Sequence, residues 1–332
     1  MGVKIKKIPW TLVIPPEVMT EYTGVKLRDY YLNPEVKMYV QLESEKIFNN
    51  LYGLPVNKCV SASGGLCYAA ASILGAEIEF PEDHPPEIRE RKIKSIEDIK
   101  DIKVCDPCKS GVIPMILQHY DYMKGKTEGT DIKVESGMGG IQGPFTTAVI
   151  LRGTDMFMDI ILHPVESKML LQKCTETSIV LTGMLGELFG CNAESMWLGD
   201  DYGGLISPEM YSEFSYPYIK RIFDTYNPIK RTLHCETLKK GHLKYLKMLE
   251  VDWYDPGVNN DLTVEDIISE TDVKFTYNLF TVRDMLNGNP ETIRKKYFEI
   301  IESGAPAVTA EICRGTPSEN VLAYVNTARE FE

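Results

Sequence analysis

The chain has 332 residues, 43% of them hydrophobic and 25% charged, with a formal net charge of −12. That balance belongs to a globular protein in water, and its acidity argues against sequence-independent nucleic-acid binding, which needs a basic face. No run of about 18 apolar residues exists, so no membrane-spanning helix is expected. The basic N-terminal stretch lacks the apolar core of a signal peptide. Eight cysteines with no export signal read as reduced thiols, and the expected location is the cytoplasm.

Residues 1–75 read as an N-terminal helical extension, with the clearest helix over 34–52. There Val36, Tyr39, Val40, Leu42, Ile47, Phe48 and Leu51 recur at helical spacing and Pro34 suits the first turn. A short alternating strand follows at 75–80, then a proline-rich loop through His84-Pro-Pro86. From about residue 110 helices and strands alternate. Helices are predicted over 111–126, 146–152, 155–162, 165–188, 208–227, 239–250, 263–269, 290–303 and 318–330. Strands are predicted over 131–136, 193–198, 229–234, 253–255, 274–278 and 307–312. Strands alternating with helices imply parallel pairing through right-handed crossovers. The count favours an α/β (β/α)8 TIM barrel over an open sheet, with residues 76–332 as the catalytic domain, so chemistry is expected at the C-terminal ends of the strands.

Those ends carry the polar residues. His234, Cys235 and Glu236 stand at the end of one strand. Residues i and i+2 of a strand share a face, so His234 and Glu236 are able to converge on one ion while Cys235 points away. Asp200 and Asp201 end another strand, placed to position a substrate or to cap the next helix. Asp255, Asn278 and Glu311 to Arg314 end three more. The loop from Gly137 to Gly143, spaced wrongly for a dinucleotide fingerprint, reads as a tight turn that lets backbone approach a ligand. His242, two helical turns past His234, is expected away from any ion. His84 and His163 read as surface residues, and Cys105-Asp-Pro-Cys108, with no second pair, as unrelated to function.

Three segments together resemble the uroporphyrinogen decarboxylase superfamily, and within it the corrinoid-dependent methyltransferase branch. They are Gln142-Gly-Pro-Phe-Thr-Thr147, Asp200-Asp201 followed by Leu205-Ile-Ser-Pro-Glu-Met-Tyr211, and Arg314-Gly-Thr-Pro-Ser-Glu-Asn320. The resemblance runs over roughly residues 35–330. The arginine pair with which the decarboxylases hold porphyrinogen carboxylates has no counterpart in Pro9-Trp-Thr-Leu-Val-Ile-Pro15. The methyltransferase branch implies zinc held by a His-x-Cys pair and a second cysteine near the last strand. In this chain His234 falls on the histidine, Glu236 on the first cysteine and Ala310 on the second, with Cys313 three residues later. The resemblance therefore implies a zinc site of His234, Glu236 and Cys313, with Glu311 the rival third ligand. A carboxylate in place of a thiolate makes a harder Lewis acid, which favours oxygen-bound methyl groups.

The resulting expectation is a methyltransferase that passes a methyl group from a small methoxylated, aromatic substrate to the Co(I) of a corrinoid (cobalamin) carried by a partner protein. Asp200, Asp201 and Asn278 are expected to line the substrate pocket, and Gly139 and Gln142 to contact the cofactor. Nucleic-acid and membrane partners are not expected; a homodimer is left open. The rival readings are transfer from a methylated corrinoid to a thiol such as coenzyme M, metal-free porphyrinogen decarboxylation, and a non-enzymatic tetrapyrrole or corrinoid binder.

Overall fold

In the computed structural model, residues 7–63, 67–135, 141–189 and 194–332 are described. Five parallel strands lie side by side: Ile141–Gln142, Ser195–Gly199, Lys230–His234, Trp253–Asp255 and Lys274–Phe275. Three more, Tyr277–Leu279, Val308–Glu311 and Trp10–Val13, form a second parallel group. The groups meet at Thr276, where one strand changes partners. The Thr276 N–H donates to the Tyr254 carbonyl, and the next N–H, of Tyr277, donates to the Ala307 carbonyl. Cys59–Ser61 pairs in parallel with Lys133–Glu135, the segment that leads on towards Ile141. The order is that of a (β/α)8 barrel. Among the described residues, no ladder joins Trp10–Val13 to Cys59–Ser61, nor Lys133–Glu135 to Ile141–Gln142, so no closed wall is traced at these two places.

The helices follow local rules. Pro34–Tyr52 begins where the Asn33 side chain accepts from the N–H groups of Glu35 and Val36, and ends at Gly53 with φ 68°. The helix expected over 208–227 is two, Pro208–Phe214 and Tyr216–Tyr226. Pro217 lacks the N–H a continuing helix would need and its ring crowds the preceding turn, so the chain bends at Ser215. The helix expected over 239–250 shrinks to a 3-10 turn at Lys240–His242 and a helix at Lys244–Met248.

The N-terminal segment is helical at Pro16–Thr23, Leu27–Leu32 and Pro34–Tyr52, as expected, but it also supplies two barrel strands, Trp10–Val13 and Cys59–Ser61. Residue 75 is therefore no structural boundary. The first strand is four residues set between prolines, too short to show a period, and its partner Val308–Glu311 lies at the far end of the sequence.

Strand alternation sorts the rest. Leu198, Leu233 and Tyr254 stand abreast on adjacent strands and face the helices, each 0% exposed. Burial of each such side chain contributes about 1.5–3 kcal/mol. Their neighbours Trp197, His234 and Asp255 face the other way, into the barrel, and are half-buried. No helix among the described residues is long and apolar enough to cross a membrane.

Candidate active site

Parallel register lines up Gln142, Gly199, His234 and Asp255 as one row at the C-terminal ends of four strands. Same-row residues on parallel strands point to the same face, so His234 and Asp255 meet directly. The His234 Nδ1 lies 2.9 Å from Asp255 Oδ2, and its Nε2 lies 3.5 Å from Asp201 Oδ1. Gly199 leaves a gap in the row, filled by the Trp197 indole. A Cβ at Gly199 would stand 3.0 Å from that ring, which stacks on the His234 imidazole at 5.2 Å between centroids.

The electrostatics follow from this packing. Burial pulls the His234 pKa down, but the Asp255 hydrogen bond and the charges of Asp255, Asp201 and Glu236 outweigh it, and the net shift is upward. For Asp255, burial pushes up while the His234 contact and the Gly257 N–H pull down and prevail. Asp201 is raised by burial and by Asp255, against the opposing pull of His234. Glu311 is raised by desolvation and by repulsion from Glu17, Glu236 and Asp255. One imidazole thus stands among the carboxylates Asp201, Glu236, Asp255 and Glu311. On these strands the amide oxygens Gln142 Oε1 and Asn278 Oδ1 are buried with no hydrogen-bond partner among the described residues.

The adjoining loops are laced to one another. Thr237 Oγ1 donates to the Asp201 carbonyl and accepts from the Gly204 N–H, while the Cys235 thiol donates to the Asp200 carbonyl at 2.9 Å. Gly204 has no room for a side chain, since a Cβ there would fall 2.0 Å from the Thr237 carbonyl oxygen. Gly204→Ala is expected to cost about 3 kcal/mol or more, because backbone must move to relieve the overlap. Urea denaturation measures this, and a loss below about 1 kcal/mol would show that the two loops separate easily.

Several sequence expectations meet this geometry directly. Cys235 does point away: it is fully buried, and burial pushes its thiol up to about 12. His242 is also buried elsewhere, its Nε2 3.0 Å from the Ile206 carbonyl. Asp201 reaches His234 at the strand ends, Gln142 ends its strand in the same row, and Asn278 is the middle residue of Tyr277–Leu279. Asp200 does not line a pocket. It is 0% exposed, accepting from Ser215 Oγ at 2.6 Å and Thr146 Oγ1 at 3.4 Å. One residue past Gly199 the alternation turns its side chain to the helix side, where burial lifts its pKa to about 6. Gly139 lies outside the described residues.

The expected zinc ligands are not gathered. Among the described residues, no three His, Cys, Asp or Glu side chains are placed to hold a metal ion. His234 is engaged by Asp255 at one nitrogen, and Glu236 Oε1 accepts the Val258 N–H at 3.4 Å. Cys313 sits past the strand end with its sulfur 3.7 Å from Thr316 Oγ1. Cys105 and Cys108 likewise belong to no such group. The residues sequence reasoning missed are Trp197 and the partnership of Asp255 with His234. Strand register, once the pairing of 253–255 with 230–234 is drawn, places both.

A family model described as Uroporphyrinogen decarboxylase (URO-D) matches residues 2–331. The chain belongs to the uroporphyrinogen decarboxylase family. A uroporphyrinogen decarboxylase of Pseudoalteromonas translucida (strain TAC 125) is 23% identical over 307 residues, covering 88% of this chain and 83% of the relative. Among solved structures, a methyltransferase from Methanosarcina mazei superposes with a TM-score of 0.73 over 99% of this chain and 95% of its own, at 20% identity. That likeness is one of fold. Within the uroporphyrinogen decarboxylase family, the strand-end row of Gln142, His234 and Asp255 is the part of this chain where function is to be sought.

Proposed function

We propose that the chain is a methyltransferase of the uroporphyrinogen decarboxylase superfamily, moving a methyl group from a heteroatom of a small molecule to the cobalt of a separate corrinoid protein. The observation that carries this reading is the charge of the barrel mouth. Asp201, Glu236, Asp255 and Glu311 crowd one imidazole, a setting that repels the carboxylates of a porphyrinogen. The lack of an arginine pair near the N-terminus points the same way, as does the fold shared with a protein titled a methyltransferase.

In this reading the residues bind and orient. Asp255 fixes the His234 ring by its hydrogen bond, Trp197 supports one imidazole face, and the row at the strand ends holds the donor with its methyl towards the open mouth, where a partner's corrin face docks. In-line placement of donor and acceptor is the main requirement of such a transfer. Because the donor set for zinc is not assembled, no step here is assigned to a metal.

The test uses the purified chain with free cob(I)alamin as acceptor and a panel of methylated amines, sulfides and ethers. Formation of methylcobalamin, read from its absorbance, is expected with at least one class. Release of CO2 from uroporphyrinogen with no methyl transfer would establish the decarboxylase reading instead.

A further inference from the structure

We infer that Lys37 and His119 form a proton-operated lock between the N-terminal helices and the helix Ile113–Thr127, closed while both side chains are neutral and loosened when they take up protons. Lys37 stands on Pro34–Tyr52 and His119 on Ile113–Thr127, and each is only 1% exposed. The Lys37 amine lies over two phenol rings, 4.9 Å from the centroid of Tyr30 and 5.4 Å from that of Tyr31. Burial acts on that amine with no carboxylate to offset it, and brings its pKa down to about 7. The segments 1–6, 64–66, 136–140 and 190–193, outside the described residues, contain no Asp or Glu that could pair with it. His119 Nδ1 is likewise buried, with no hydrogen-bond partner among the described residues. Burial and then the Lys37 charge lower the His119 pKa to about 4, against the pull of the Leu32 and Ala62 carbonyls. The other titratable groups around the pair are Tyr30 and Tyr31, with Cys67 and Tyr68 beyond Tyr31, and burial raises both phenols well above their ordinary value. Glu17 acts on those two tyrosines. An ammonium held here loses its hydration, and ring faces replace only part of it.

What the pair holds in place is a strand of the barrel. The Tyr30 hydroxyl accepts from Gln41 Nε2 at 3.1 Å. The same Gln41 amide donates to the Ser61 carbonyl at 2.9 Å and accepts the Ser61 N–H at 2.7 Å. Gln41 thus grips Cys59–Ser61 by both backbone groups of one residue, as a neighbouring strand would. A charged Lys37 pushes Leu27–Leu32 and Pro34–Tyr52 apart from their packing and slackens that grip. Tyr30, Gln41 and Ser61 also line a cavity of about 1220 Å³, which gives a displaced ammonium access to water. In the closed form Lys37 gives up its proton at about pH 7, in an opened form at about 10.4. Between those values opening takes up one proton, so the open fraction rises about tenfold per pH unit of acidification and levels off below 7. His119 adds a second rise between about 6.5 and 4.

Amide hydrogen exchange of the purified chain between pH 9 and pH 5, corrected for the intrinsic rate at each pH, tests the lock. Protection over 27–52 and 113–127 is expected to fall about tenfold per unit from pH 9 to pH 7, and that of Lys230–His234 to fall less. Lys37→Met should abolish this dependence and leave both helices better protected than in the parent at pH 7. Lys37→Arg keeps its charge throughout and should leave the same segments poorly protected at every pH. His119→Leu should retain the fall above pH 7 and lose the one below about 6.5. Circular dichroism checks that each variant folds, and the pH course of the parent decides the matter even where one does not. Protection over 27–52 and 113–127 that ignores pH in the parent overturns the lock. So does a Lys37→Met chain that keeps the parent's dependence.

Discussion

A His234→Gln chain is expected to lose at least about a hundredfold in kcat/KM for methyl transfer, because the row that positions the donor is built around the imidazole. Its stability should change with a diagnostic pH dependence. The folded-state pKa of His234 is raised above its unfolded value, so the native state binds the proton more tightly. The stability this contributes is fully present below about pH 6.5, the unfolded value, and is lost as pH rises through the raised folded value. The variant should therefore fall short of the parent by about 2 kcal/mol at pH 6, since Asp255 and Asp201 are left facing each other without a cation. By pH 9 the gap should narrow. Urea denaturation across that range measures it, and a gap that widens with pH would mean that His234 is neutral in the folded protein.

Asp200→Asn should run in the opposite direction. The buried Asp200 carboxyl has its pKa lifted to about 6, above the value of about 3.9 for an unfolded aspartate. Between those values the unfolded chain gives up its proton first, so the parent loses stability as pH rises from about 4 to above 6. An asparagine carries no charge, and its carbonyl still accepts from Ser215 Oγ, which donates to Asp200 at 2.6 Å. The variant should match or trail the parent near pH 4 and exceed it at pH 7.5 by up to about 3 kcal/mol. Denaturation midpoints at the two pH values decide the matter. A deficit that persists at pH 7.5 would show that the charged hydrogen bonds outweigh the cost of burial.

Much of this architecture was legible in the sequence, for reasons that also explain what was not. The helix Pro34–Tyr52 carries its own start signal at Asn33-Pro34 and its stop at Gly53, all of them local. Strands such as Lys230–His234 stand between helical patterns and so show by contrast. Trp10–Val13 and Cys59–Ser61 have no local signal, because only pairing with distant segments makes them strands. At the site, the two-residue alternation correctly turned Cys235 away from His234. The same rule, applied from Gly199, turns Asp200 outward, yet its place beside Asp201 suggested a shared role. The Asp255 contact and the Trp197 stack depend on which strands are neighbours and in what register, which sequence pattern alone does not state. The zinc ligand set came from strand alternation for His234 and Glu236 and from resemblance for Cys313, and among the described residues these side chains are not gathered around one point.

The pairing of Trp10–Val13 has a consequence for how the molecule is made. Among the described residues Trp10–Val13 pairs along one edge, with Val308–Glu311, and Tyr324 of the last helix ties the two by donating its hydroxyl to the carbonyls of Thr11 and Val308. Among the described residues, this strand thus has no ladder partner until the segment at Val308–Glu311 has followed it. Closing so long a loop carries an entropic cost before any contact rewards it. Docking of Trp10–Val13 therefore waits on Val308–Glu311, and until it happens that later strand is unpaired on one side.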